Sequence, residues 1–283
     1  MSLSQAEAQS VTWQSDRSAF QKLKSYAWRL TQWMCALLLP MLILCLWWLA
    51  AHQKWLPEQI LPAPLLVWQT SVELWQSGEL QFHFQVSASR ILWSMLLGTA
   101  AGILIGVGLA LAKRSRDYVL PWIQLIAQFP LVGWIPLLMI FLGIDEELKI
   151  VAIALAVFPA VLVATYKGIL GVPTHLLGVA QVYQFSTFKR FKDIVIPSAL
   201  PEIVGGIRQG MMQAWLALVF VELLASSEGI GFLMVWGRQL MQMDIIFMAI
   251  VLIGVTGYVL DAVFAQFEKL ARFYVTRKGA DHA

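Results

Sequence analysis

The chain of 283 residues is 59% hydrophobic but only 13% charged, with a mean hydropathy of +0.70. A soluble domain carries about 25% charged residues, so the composition excludes an ordinary water-soluble globule and points to the membrane. The net charge of +3 is small, its placement matters more than its size, and no nucleic-acid partner is expected.

Residues 1–32 are polar and contain acids, so they read as a cytoplasmic or interfacial segment and not as a cleaved signal peptide. The stretch from Val11 to Trp33 mixes aromatic residues with basic ones. That fits either a stretch lying along the inner membrane face or a loose tail with interfacial aromatics. Residues 33–267 form the membrane domain. Apolar runs near 33–51, 89–112, 118–142, 150–167, 202–224 and 245–266 are long enough, or nearly so, to cross a core of about 30 Å. The expected fold class is an all-α polytopic membrane protein with about six transmembrane helices. Cys35 and Cys45 are about 15 Å apart along the first run, too far for a bridge, and read as small apolar side chains.

Charges in the links set the orientation. Lys and Arg gather before the first run (Arg17, Lys22, Lys24, Arg29), between the second and third (Lys113, Arg114, Arg116), in 173–201 and in the tail 268–283. The alternate links carry mostly acids, among them Glu58, Glu79, Glu146, Glu228 and Asp244. By the positive-inside rule both termini and the 173–201 loop are cytoplasmic, an N-in/C-in arrangement.

In the outer link, Pro57, Pro62 and Pro64 precede LVWQTSVELWQSGEL (66–80), which reads as a surface helix or a simple connector. The second run carries Gly98, Gly102 and Gly106, a small-residue stripe on one face that lets helix backbones approach closely. In the third run, Pro121, Pro130, Gly133 and Pro136 weaken the hydrogen-bond ladder. Such backbone is tolerated at membrane depth only inside protein or beside a watery cavity. Gln124 and Gln128, four apart, line a pathway or glue helices together. The fifth run opens with Glu202 and Arg208, near enough to the interface to snorkel. Glu222 and the helix-breaking run SSEGIG close its outer end. Glu222 is either an interfacial or structural anchor or a pathway or gating residue, and Asp261 poses the same choice at the inner end of the sixth run.

The stretch 173–201, PTHLLGVAQVYQFSTFKRFKDIVIPSALP, is too charged to span a membrane and too long for a plain link. Its spacing predicts a first helix from Pro173-Thr174. A second is capped by Ser186, with Phe188 and Phe191 on one side and Lys189 and Arg190 on the other. Pro197 and Pro201 are expected to stop that helix and start the next span. A folded polar projection of this kind suggests a docking part.

His52, His83, His175 and His282 are scattered, so no metal site is expected. No phosphate-cradling G-x-x-x-x-G-K-[ST] loop and no catalytic constellation is present. The first four runs lack the acids or histidines of an ion-coupled carrier.

The pattern GVA-x3-Q-x12-P, from Gly178 to Pro197, together with IVIPSALPEIVGGIRQG, resembles the cytoplasmic "EAA" loop of ABC-importer permeases. WLPEQILPAP, QFPLVGWIPLLMIFLGIDEELKI and SSEGIGFL extend the resemblance to the sulfonate, taurine and nitrate subfamily. The loop departs from its family twice, with Gly178 in place of the usual Glu and Gln184 in place of the usual Gly. The resemblance implies a type I ABC-importer permease fold in the bacterial inner membrane, with no cofactor on this chain and ATP and Mg on a partner ATPase. Its implied partners are a second copy of the chain, two ATP-binding subunits, an extracytoplasmic substrate-binding protein and membrane lipid. It also implies an ATPase-coupling surface of Gly178, Val179, Ala180, Tyr183, Gln184, Phe185, Ser186, Phe188, Lys189 and Pro197. The expected pathway is Gln124, Gln128, Pro130, Gly133, Pro136 and Glu222, and the cargo a small anion. The rivals are an ion-coupled secondary carrier and a non-transporting membrane scaffold.

Overall fold

A computed structural model describes Trp28 and residues 38–280. The N-terminal segment other than Trp28, the start of the first run and Cys35 lie outside the described residues. Two compact units divide the chain, Met1–Leu66 and Val67–Ala283. The first holds α1 (Leu38–His52). There the Trp47 indole N–H donates to the Pro62 carbonyl at 3.0 Å, tying the proline-rich link back to the helix. Helix α2 (Pro64–Gln76) fills most of the predicted 66–80 helix and stops before Ser77–Gly78.

The remaining elements are α3 (Glu79–Leu111), α4 (Lys113–Gln128), α5 (Leu131–Leu142), α6 (Glu146–Leu170), α7 (Thr174–Val182) and α8 (Thr187–Arg190). A π-helical turn (Phe191–Val195), α9 (Ile196–Ala225), α10 (Ile230–Gln239) and α11 (Met243–Ala280) complete the chain. No strand occurs among the described residues. Four runs are long and apolar enough to cross a membrane, and α4 with α5 make up to one more as a broken pair. The described part of α1 is apolar and spans Leu38–His52.

Three boundaries differ from expectation. The third run is weakened as far as a full break. It breaks at Phe129–Pro130 with a 98° bend. Proline disfavours helical backbone at the preceding residue, and Phe129 is extended at ψ 126°. Second, Pro197 and Pro201 do not stop a helix. From Thr187 the helical path continues through the π turn, where the Ile196 N–H reaches back five residues to Phe191 O, and on to Ala225. Pro197 thus meets an already widened ladder and sits at the start of α9, where a missing N–H costs least. Third, α11 runs past residue 267 to Ala280 without a break at the start of the 268–283 tail.

Helix α6 lies between α3 and α9. Lipid gives apolar helices no hydrophobic reason to associate, so close van der Waals fit must hold them. A Cβ at Gly98 would come within 2.7 Å of Val157 Cβ, at Gly102 within 2.8 Å of Val161 Cβ, and at Gly106 within 2.8 Å of Thr165 Cβ. The stripe on α3 thus fits residues four apart on α6. From α9, Gly206 faces Ala164, and Gly210 meets the same Val157 and Val161. Ile91, Ile153, Met211, Trp215, Leu218 and Ile230 complete the core.

Candidate functional site

A cavity of about 950 Å³ opens among α4, α5, α6 and α9. The break in α4–α5 shapes one wall through Gln128, Phe129, Pro130 and Leu131. Opposite lie Leu155, Ala156, Pro159 and Ala160 of α6, with Gln209 and Gln213 of α9. From Glu202 to Gln213 the lining follows α9 for about 17 Å, and from Lys167 to Leu155 it follows α6 for about 18 Å. The cavity therefore reaches from the end bearing the 173–201 loop to mid-helix. Of the residues predicted for a pathway, it gathers Gln124, Gln128 and Pro130. Gly133 and Pro136 lie farther along α5 and do not line it; a Cβ at Gly133 would meet nothing within 4 Å. Sequence reasoning passed over Gln209 and Gln213, although their four-residue spacing repeats that of Gln124 and Gln128.

Glu222 does not line the cavity either. It is fully buried, accepting from Ser87 Oγ at 2.7 Å, Arg90 at 2.8 Å and the Gly231 N–H at 2.8 Å. Of its two readings, the geometry favours the structural anchor. Arg90, 2% exposed, also grips Glu146 with Nε at 2.7 Å and Nη2 at 2.6 Å, and donates to the Glu228 carbonyl at 2.8 Å. His83 Nδ1 accepts from the Gly229 N–H and Ser87 Oγ from the Ile230 N–H, both at 2.9 Å. The SSEGIG turn is thus pinned to α3, and through Arg90 to the start of α6. Glu222 is singled out from sequence, Arg90 belongs to the resemblance, and Glu146 and Glu228 stand out as link acids, but their pairing is not legible, because residues 132 positions apart leave no local pattern.

Fourteen residues earlier on α9, Arg208 does more than snorkel. It pairs with Asp261 through Nε at 2.8 Å and Nη2 at 3.0 Å, and with Glu268 at 2.9 Å, fastening α9 to α11. The two clusters, at Arg208 and Glu222, stand about 21 Å apart along α9.

In the 173–201 loop, Ser186 caps α8, its side chain accepting from the Lys189 N–H at 3.3 Å. Ala180 is buried, Phe185 is half-buried, and Val179, Tyr183 and Phe188 are exposed. At 72% and 76% exposure, Tyr183 and Phe188 do not pack on the chain's own spans. Phe185 is covered by Lys189 Nζ, 4.2 Å above its ring. Gln184 sits at φ +52°, left-handed backbone that glycine adopts freely and that costs a side chain such as glutamine's. The glycine that the resemblance places at this position would carry no such cost. Gly178 is mid-helix, with nothing within 4 Å of a Cβ, so a side chain is sterically welcome.

The family described as "Binding-protein-dependent transport system inner membrane component" matches residues 98–273. The chain belongs to it. This permease is 36% identical over 230 residues to a Bacillus subtilis protein named as an aliphatic sulfonates transport permease, SsuC, a match covering 81% of this chain and 83% of that one. To the taurine transport system permease protein TauC of Escherichia coli it is 28% identical, covering 77% and 82%. Among solved structures, an inward-facing MetNI methionine ABC transporter matches with TM-score 0.56 at 14% identity, over 66% of this permease and 93% of that chain. An amino acid ABC transporter with histidines matches with TM-score 0.58 at 14% identity, over 74% and 97%. The permease therefore has the all-helical type I importer fold and is a multi-pass transport subunit of the inner membrane.

Proposed function

We propose that this permease is the membrane half of an ATP-driven importer for a small organic anion, such as an aliphatic sulfonate or taurine. Six spans with both termini inside would leave 1–32 and 268–283 cytoplasmic, with 33–267 as the membrane domain. Two copies would form the pathway, a binding protein would load it from outside, and ATP with Mg would be bound and hydrolysed on two partner subunits. The observation that carries this reading is the juxtaposition at one end of the molecule. The loop presents exposed Val179, Val182, Tyr183 and Phe188 on the side toward which the cavity runs. An apolar surface on a polar projection suits a protein groove. A loop fixed to α9 without a break can pass the partner's closure directly to Gln209 and Gln213. The protein's work is then to switch between two states, biased by nucleotide inside and loaded receptor outside.

Replacing Phe185 and Phe188 together by Ala tests it. An aromatic anchor contributes about 2 kcal/mol or more to an interface, so the variant should release the ATPase, or hydrolyse ATP without transport, while the chain inserts normally. Wild-type assembly and uptake by that variant would overturn the docking role.

A further inference from the structure

The cavity carries four carboxamides, Gln124 and Gln128 on α4 and Gln209 and Gln213 on α9, each pair one helical turn apart. Among the described residues none of the four carboxamides has a hydrogen-bond partner, and all four residues are exposed where they line the cavity. An amide holding helices together would have a partner across the helix pair, because an unpaired amide in an apolar setting is costly. These four are left for a solute or its water. The rest of the lining beside them is apolar, including Ile123, Trp134 and Leu155. The only cation in the lining is Lys167, at the loop end of the cavity, where Glu202 also lines it.

Resting on the reading of the chain as an anion importer, we propose that this cavity is itself a selective, low-affinity site for an alkanesulfonate. Carboxamide N–H groups receive the sulfonate oxygens, and the apolar wall takes the alkyl tail. A sulfonate beside the four amides meets donors, while the one lining cation, Lys167, shares the loop end of the cavity with Glu202. Binding is then favourable enough to enter and weak enough to leave, as conduction requires. An inorganic oxyanion finds only the donors. An alkanesulfonate finds the wall as well, and each methylene buried on it adds about fourfold in affinity. The permease thus discriminates by tail in its own right, independently of the binding protein.

The test uses the purified permease–ATPase complex without binding protein, Ala127→Cys in the cavity lining in a background with Cys35→Ser and Cys45→Ser, and an anionic methanethiosulfonate reagent. Butane-1-sulfonate should slow labelling at concentrations at least about tenfold lower than methanesulfonate needs, a conservative figure for three methylenes. Sulfate at the same concentrations should not protect. Adding Gln124→Leu and Gln128→Leu should weaken protection by at least about tenfold, the loss of one hydrogen bond to an anion. If that variant fails to co-purify with its ATPase, Gln124→Ser with Gln128→Ser keeps polarity while shortening the reach, and should weaken protection in the same direction. Equal labelling with and without butane-1-sulfonate overturns the site, and equal protection by sulfate overturns the role of the tail. ATP-driven butane-1-sulfonate uptake by the wild-type complex with its binding protein, measured alongside, separates the two failures. Uptake without protection refutes this site alone, and absent uptake refutes the importer reading beneath it.

Discussion

Replacing Arg90 by Met should be among the most damaging single changes in the chain, and the structure says where the cost arises. The guanidinium is 2% exposed and serves two carboxylates and one carbonyl. Glu146 is 54% exposed, can rehydrate and keeps Lys149 at 2.7 Å, so losing that pair costs at most about 1 kcal/mol. Glu222 has no exposed surface and keeps only Ser87 and the Gly231 N–H as donors. Stranding a buried charge typically costs 3–5 kcal/mol, and those two remaining donors place the expected loss near its lower end, about 3 kcal/mol. Adding Glu222→Met removes the stranded charge and should recover about 1–2 kcal/mol, since an apolar pair often replaces a buried ion pair at little cost. The full gain is withheld because the Gly231 N–H and the Glu228 carbonyl then lose partners. Denaturant titration in micelles, run as a double-mutant cycle, reads each figure. A loss below about 1 kcal/mol for Arg90→Met, or strictly additive effects of the two substitutions, would refute the buried-pair argument.

Gly102→Val would drive a branched side chain into Val161 at a backbone separation set by the stripe. It should cost about 1–3 kcal/mol in the same titration, whereas Gly108→Ala, which meets nothing within 4 Å, should cost nothing measurable. Gln184→Gly should stabilise the loop turn by about 1 kcal/mol, seen as slower proteolysis at 183–187 with transport retained. Ala127→Trp, filling the cavity wall, should abolish uptake while leaving ATPase assembly intact. Cysteines placed at Glu79 and Glu147 should react from outside in intact cells, and labelling only after permeabilisation would reverse the orientation.

What the sequence reveals here is what repeats locally. Glycines at four-residue intervals, the Ser186 cap and the proline-marked third span each declare themselves within one or two helical turns, and the helices follow. The severity of the break at Phe129–Pro130 is not legible, because several prolines in that run looked equally able to cause it. Only one of them meets an extended neighbour. Pro197 misled for the converse reason, since a π turn absorbs it and whether that turn forms depends on the flanking helices. The cavity was half legible, through Gln124 and Gln128. Gln209 and Gln213 became significant only once α9 was seen to face the same space. Arg90 and Glu222 lie on different helices and meet only in the fold. No pattern on either helix could pair them.

The central claim, that this chain moves cargo by the work of a partner ATPase, is met most directly by uptake into proteoliposomes. These would hold the permease, its ATPase and its binding protein, with butane-1-sulfonate as the probe and no ion gradient imposed. The account predicts uptake that requires ATP on the ATPase side, requires the loaded binding protein on the other, and is unchanged by collapsing proton and sodium gradients. Uptake by the permease alone, driven by a gradient and indifferent to ATP, would contradict it.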